Sequence, residues 1–455
     1  MDAMNTPIAD FVKKYEKKNM SRFHMPGHKG QTFLGCENYD ITEVAGADAL
    51  YEADGIIAES EKNAAKLFGT GRTLYSTEGS SQCIRAMLYL AVYEWKRKYG
   101  KNAHSKPVIV AARNVHKAFV YAAALLDFEV IWLWPTGSTN SICSCLISAD
   151  TLEDVLVGLE NPPAAVYVTS PDYLGNQQDI AAFANICHKY NTVLAVDNAH
   201  GAYLHFIKPK MHPIDLGADI CCDSAHKTLP VLTGGAYLQI SKTAPESFAQ
   251  NAKHALALFG STSPSYLILI SLDLCNRYLS DGYTEKLKNL SDSIEIFREK
   301  LQDKNWKTEG TENLKLTIRM PKSVSGIDMA QNLRKHQIEC EFADPEYLVL
   351  MLTPENTEED FLRIEKAFDQ NVHEYEETNL QPAICQRKMS IRDAVFGTHE
   401  EISVDEAMGR ICGTVTVSCP PAIPIVVSGE VIDENAIHLF HHYGIEKVDV
   451  IIEDN

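Results

Sequence analysis

The chain has 455 residues, 45% of them hydrophobic and 23% charged, a profile that excludes fibrous and disordered classes and fits an ordinary globular protein. This length predicts two or three domains, or one large domain with appendages. The net charge of −19, from 42 basic and 61 acidic residues, argues against nucleic acid or an anionic membrane as a main partner; it suits a cationic substrate and plain solubility equally well.

The first 18 residues, MDAMNTPIADFVKKYEKK, are mixed in charge and lack the apolar core of a secretion signal. They also lack a myristoylation signal, and no apolar run in the chain is long enough to span a bilayer. The 12 cysteines form no CxxC pair of the zinc or thioredoxin type. Scattered through apolar segments, they fit small core residues in a reducing compartment, so a cytoplasmic location is expected and no metal is.

Ile8, Phe11, Val12 and Tyr15 recur at helical spacing, so an amphipathic helix is expected within residues 1–20. RFHMPGHKG (22–30) is punctuated by Pro and Gly and reads as loop; residues 60–68 resume a helical pattern. Between about 73 and 240, short apolar runs alternate with helical stretches. VIVAA (108–112), VIWLW (130–134), AVYVTS (165–170), TVLAVD (192–197), ADICCDS (218–224) and GAYLQI (235–240) are the expected strands. Helices are expected at 80–98, 114–126, 151–159 and 179–190. Near-continuous apolar strands between helices predict a mostly parallel sheet covered on both faces. The last strand has little room for a crossover and is expected to be antiparallel.

Residues 263–303 read as helix. From about 305 to 370 the pattern becomes α+β, with strands near 314–319 and 347–352 and helices near 326–336 and 358–369. The expected division is an N-terminal helix and loop (1–30), a large α/β domain (31–280), a small α+β domain (281–375) and a C-terminal extension (376–455).

Three segments carry candidate chemistry. In VDNAHGAY (196–203), Asp197 closes a strand, where ligands of open α/β sheets sit; a carboxylate there suits a protonated ring nitrogen, and it also suits a turn cap. In ICCDSAHKTL (220–229), Lys227 follows another strand closely. A partly buried lysine shifts readily toward its nucleophilic neutral form, as a Schiff base requires; standing alone it would read as a loop lysine. The two strand ends lie 30 residues apart, room for one βαβ-like step, and pyridoxal 5'-phosphate chemistry needs both an aldehyde-bearing lysine and an acid at the pyridine nitrogen. STEGSSQCIRAMLYL (76–90) offers Gly79, Ser80 and Ser81 at a helix start, a fit for phosphate or for an ordinary N-cap. His116, just after VIVAA, could stack on a pyridine ring. His200 and His226 flank the central residues; His200 could line the cofactor ring or do acid–base work, and His226 could touch phosphate or substrate.

These motifs resemble the Orn/Lys/Arg decarboxylases, a branch of fold-type I (aspartate-aminotransferase-like) pyridoxal-phosphate enzymes. RFHMPGHKG, DITEVAGADAL (40–50), SAHKTLPVLTGGAYL (224–238), STSPSYLILISLD (261–273) and CPPAIPIVVSGEVI (419–432) are similar to family segments in the same order. The resemblance implies that Lys227 is the Schiff-base lysine, that Asp197 pairs with the ring nitrogen and that His116 stacks on the ring. Gly79, Ser80, Ser81, Ser224 and His226 would surround the phosphate, and Thr262 would reach it from a neighbouring subunit. That implies a homodimer with active sites at the interface. The expected reaction is α-decarboxylation of a basic amino acid, arginine first, with lysine and ornithine open. Lys227 or a nearby histidine such as His200 would supply the proton to the α-carbon, and Glu430 and Asp48 are the expected partners of the substrate's distal cation.

The chain departs from the family pattern at Asn198 (usually Glu), Glu78 (often Asn), Ala422 (Gly) and Ser428 (Pro), and it is similar to the short class, which lacks an N-terminal regulatory domain. Two further readings stay open: a pyridoxal-phosphate aminotransferase or lyase, and a non-enzymatic protein that binds the cofactor.

Overall fold

A computed structural model describes residues 4–100, 106–135, 141–376, 380–416 and 422–452. The chain forms two compact units, residues 1–101 with 180–287, and residues 102–179 with 288–455. In chain order the first strands are β1 (Arg72–Ser76), β2 (Val108–Ala112), β3 (Glu129–Leu133), β4 (Ala165–Thr169), β5 (Leu194–Asp197), β6 (Ile220–Asp223) and β7 (Ala236–Ile240).

In the first unit the strand order is β1-β7-β6-β5. β5 and β6 run parallel, with Asp197 opposite Cys222. β7 is antiparallel to both neighbours, as its short connection predicts. β1 was not among the expected strands: RTLYS is short and carries an arginine and three hydroxyl residues, so its apolar signal is weak. The helix Gly79–Tyr99 packs on these strands and buries Cys83, Ile84, Met87, Leu88 and Leu90. The helical pattern over 263–303 forms two helices, Tyr266–Ser280 and Tyr283–Asp303. Gly282 separates them at φ +69°, a left-handed conformation that interrupts a right-handed helix and costs glycine little. The N-terminal helix runs from Pro7 to Lys17 and buries Ile8, Ala9 and Val12.

In the second unit β2 lies between β3 and β4, all parallel. The following helix begins at Lys117 rather than near 114, because His116 caps it: its Nδ1 accepts the Ala118 N–H at 3.1 Å. An antiparallel sheet follows, formed by β8 (Lys307–Glu309), β9 (Lys315–Arg319), β10 (Phe342–Ala343) and β11 (Tyr347–Met351) in the order β10-β11-β9-β8. Two strands unmarked in the sequence pattern, β12 (His399–Ser403) and β13 (Lys447–Ile451), pair near the C-terminus. They pack with the helix Glu434–His442 around Val404, Ile432, Leu439 and Val450. Among the described residues no helix is long and apolar enough to cross a membrane.

Candidate active site

The candidate site lies mainly at the ends of β5 and β6 in the first unit. β5 is buried throughout and ends on Asp197, which is 3% exposed. Its Oδ1 accepts the Ala199 N–H at 3.2 Å and the Cys222 S–H at 3.6 Å. Burial pushes the Cys222 thiol well above its ordinary range, so it stays protonated and remains a donor. Beyond β6, Ser224 opens a one-turn helix, Ala225–Thr228, that carries His226 and Lys227. The Lys227 Nζ lies 3.0 Å from His200 Nε2. His200 sits three residues beyond Asp197 and is itself buried. The two sequence motifs therefore meet through an amine and an imidazole.

The serines meet as well. The Ser224 hydroxyl donates to Ser80 Oγ at 2.8 Å. Ser80 and Ser81 are in the first turn of the 21-residue helix Gly79–Tyr99, whose dipole and N–H groups favour an anion. Gly79 has φ +73°, and its N–H donates to Gly234 O at 2.7 Å. A Cβ built there would meet no atom within 4 Å, so backbone conformation rather than crowding calls for glycine, and the turn leaves open space beside the serines. His226 is tied to Gly235: its Nδ1 and its backbone N–H both bond Gly235 O, at 3.0 and 3.2 Å.

A lysine amine beside an imidazole, a buried carboxylate on the adjoining strand end and two paired serines at an open helix start fit pyridoxal 5'-phosphate. Lys227 would bear its aldehyde, Asp197 its ring nitrogen and Ser80, Ser81 and Ser224 its phosphate.

Thr262 is exposed, in a turn whose Ser261 N–H donates to the Glu78 carboxylate. Glu78, one of the departures from the family pattern, is thus tied to the turn that carries Thr262. His116 belongs to the second unit, where it caps its helix.

The two residues expected at the substrate's cation both have partners within the chain. Asp48 is buried, and its carboxylate accepts five backbone N–H groups, from Ala49, Asp54, Gly55, Ile57 and Ala58, at 2.9–3.4 Å. A carboxylate offers about four lone-pair sites, so Asp48 is saturated by the start of the helix Ile56–Phe68. Glu430 is also buried, and its Oε2 accepts the Val427 N–H at 2.7 Å and Arg113 at 3.3 Å. Burial raises its carboxyl against the lowering effect of Arg113. Arg113 donates to Pro424 O and Ile425 O at 2.9 Å each and stacks on Trp132 and Trp134, which makes the pair a brace of the second unit. The start of the CPPAIPIVVSGEVI motif, residues 419–421, lies outside the described residues.

Sequence reasoning missed Cys222 and Asp223. Their signal was present, since both belong to the strand that leads to Lys227, but apolar patterning reads Cys222 as core and Asp223 as a strand-end turn residue.

Comparison with known proteins places the chain in a family. The Orn/Lys/Arg decarboxylase major domain matches residues 6–319, and the C-terminal domain of the same family matches residues 366–444. The arginine decarboxylase of Bacillus subtilis is 28% identical over 97% of this chain and 94% of its own length. That of Halalkalibacterium halodurans is 26% identical over 94% and 91%. Among solved structures, the Francisella novicida lysine decarboxylase superposes with a TM-score of 0.79 at 17% identity, covering 99% of this chain and 82% of its own. A serine palmitoyltransferase of Sphingomonas wittichii gives a TM-score of 0.55 at 14% identity, covering 80% and 82%. The fold is that of fold-type I pyridoxal-phosphate enzymes. The major-domain match alone spans more than half of the residues, and the chain belongs to the Orn/Lys/Arg decarboxylase family of pyridoxal-phosphate-dependent amino-acid decarboxylases.

Proposed function

We propose that the enzyme removes the α-carboxyl group of arginine to give agmatine, a polyamine precursor, and that it works in the cytoplasm as a homodimer. Arginine is favoured over lysine and ornithine because the relatives that match this chain along nearly their whole length include several arginine decarboxylases. The curated lysine decarboxylase of Escherichia coli matches over only 45% of its length.

The observation that carries the chemistry is the 3.0 Å contact between Lys227 Nζ and His200 Nε2. Bound pyridoxal phosphate supplies the electron sink for the pair left behind when CO2 departs. Lys227 would hold the cofactor's aldehyde, and its amine, when not so engaged, would share a proton with His200, a pair placed to deliver a proton to the substrate's α-carbon. Asp197 would hold the ring nitrogen, and Ser80, Ser81 and Ser224 the phosphate. The burial of Asp197, Asn198, His200 and Ser224 keeps water from the ring nitrogen and strengthens each charge there. His116 is proposed to stack on the ring, and Thr262 to reach the phosphate of a partner subunit.

Dimerisation is supported by an apolar surface on the N-terminal segment. Phe23, Phe33 and Leu34 are 97%, 78% and 88% exposed. The loop that carries Phe33 and Leu34 is ordered by Glu37, whose carboxylate accepts the N–H groups of Phe33, Leu34, Gly35 and Cys36 and is held down at a pKa of about 2. Large side chains presented on a fixed loop suit a second copy of the chain. The cytoplasmic reading is supported by the eleven described cysteines, all free thiols.

The test is CO2 release from arginine, lysine and ornithine with added cofactor. Release from arginine that disappears in Lys227→Ala is expected. Release from lysine alone would reassign the substrate, and a keto-acid product would replace decarboxylation with transamination. Sedimentation of Phe23→Ser/Leu34→Ser is expected to show monomer where the parent shows dimer.

A further inference from the structure

Asp223, the last residue of β6, is fully buried and has no role in the reaction as described so far. Its donors are all side chains. Asn198 Nδ2 donates to Oδ1 at 2.6 Å and Gln239 Nε2 to Oδ2 at 2.9 Å. His212 Nε2 lies 3.3 and 3.2 Å from the two oxygens. The Ile214 N–H reaches His212 Nδ1 at 3.4 Å, which leaves the proton on Nε2, facing Asp223. Gln239 is fixed in turn, because its carbonyl accepts the Thr73 hydroxyl of β1. The carboxylate therefore gathers β7, the segment before β6 and the residue next to Asp197.

Two links join this centre to Asp197. Asn198 follows it directly in the chain, and the Asn198 N–H donates to Cys222 O at 3.0 Å. The same Cys222 donates its thiol to Asp197 Oδ1. On the other side Asp223 precedes Ser224, which bonds Ser80. A neutral amide at position 223 could fill the same space without the penalty of burying a charge. The titratable groups around Asp223 are His212, Cys83, Cys221, Cys222, Tyr237 and Asp197. Burial raises the three thiols and the phenol, so these stay neutral.

We propose that Asp223 is a positioning residue for the cofactor: through Asn198 and Cys222 it fixes the Asp197 carboxylate against the ring nitrogen, and its own buried negative charge strengthens that nitrogen's hold on a proton. This rests on the reading of Asp197 as the ring's partner.

The test uses the full-length enzyme loaded with pyridoxal 5'-phosphate and reads three quantities: the rate of cofactor loss, the pH midpoint of its visible absorption band, and kcat and KM separately. Asp223→Asn removes the charge and sets a donor against Asn198 or Gln239. The expected result is about tenfold faster cofactor loss, a midpoint lower by about one pH unit, and a reduced kcat with little change in KM. The exchanged pair Asn198→Asp/Asp223→Asn restores one carboxylate facing one amide and is expected to recover most of all three. Should Asp223→Asn fail to fold, the exchanged pair and His212→Gln carry the test. Parental retention and midpoint in Asp223→Asn, or in His212→Gln where that substitutes for it, would overturn the proposal. Asp197→Asn separates the two claims. If it shifts the midpoint while Asp223→Asn does not, only the role of Asp223 fails; if Asp197→Asn leaves the band unchanged, the assignment of Asp197 fails and this proposal goes with it.

Discussion

The loop at Asp48 and the strand ends at Asp223 each bury a carboxylate, and they stabilise it in opposite ways. Asp48 draws only on backbone N–H groups, none more than ten residues away. Asp223 draws only on side chains, 11 to 25 residues away in sequence. Backbone donors are present whatever side chains a segment carries, so the Asp48 device depends on the path of its own loop. The Asp223 device depends on Asn198, Gln239 and His212, and a change at any of them reaches the strand ends that carry Asp197 and Lys227. One arrangement fixes where a helix begins; the other ties together segments far apart in the chain.

The largest stability change expected from this contrast is at Asp48. Asp48→Ala strands several N–H groups at once and is expected to cost about 3–4 kcal/mol in urea unfolding, with cofactor titration of the remaining folded enzyme unchanged. A loss below about 1 kcal/mol would mean that water replaces the carboxylate and that the loop holds its own shape.

Asp273, on the helix Tyr266–Ser280, mixes the two devices and sharpens the comparison. It accepts the Ala9 N–H at 3.0 Å and the Ser60 hydroxyl at 2.5 Å. Burial raises its pKa from 3.8 to about 6. A raised carboxyl binds its proton more tightly folded than unfolded, so its contribution is fully present below about pH 4 and is lost as pH rises through about 6. The parent is therefore expected to lose about 2–3 kcal/mol relative to Asp273→Asn across that window. Parallel stability curves for the two proteins would show that the carboxyl is not desolvated.

The smallest effect is expected in the second unit. Ala422 stands at φ +58°, a left-handed conformation that favours glycine, and its carbonyl accepts the Lys117 N–H beside His116 at 3.0 Å. That bond is made by backbone and survives a change of side chain. Ala422→Gly is expected to stabilise the protein by about 1 kcal/mol in thermal unfolding, without loss of activity. A destabilised variant would show that the methyl group, buried at this position, contributes more by packing than the backbone strain costs.

Much of the architecture was legible in sequence because it follows local period. The runs at β2 to β7 are apolar and β-rich, and the stretch after Gly79 keeps a helical pattern for 21 residues. β1, β12 and β13 escaped because short amphipathic or polar strands acquire their identity from the strand they pair with. Asp197 and Lys227 stood out as candidates for a chemical reason: Asp197 closes an apolar strand, Lys227 follows another closely, and the pair suits one cofactor.

The sequence by itself determined the family, the reaction class and the alternation of strands and helices, and it singled out a lysine and an acid as candidates for the chemistry. Only the tertiary structure decided how the remaining polar groups are used. Asp48 and Glu430 had the right charge for a cationic substrate, yet one is saturated by backbone N–H groups and the other is held by Arg113. Asp223 looked like a strand-end residue and collects three distant side chains. A side chain's type states what bonds it can form. Which partner completes them depends on segments far apart in sequence meeting within about 3 Å, and burial then sets what each bond is worth.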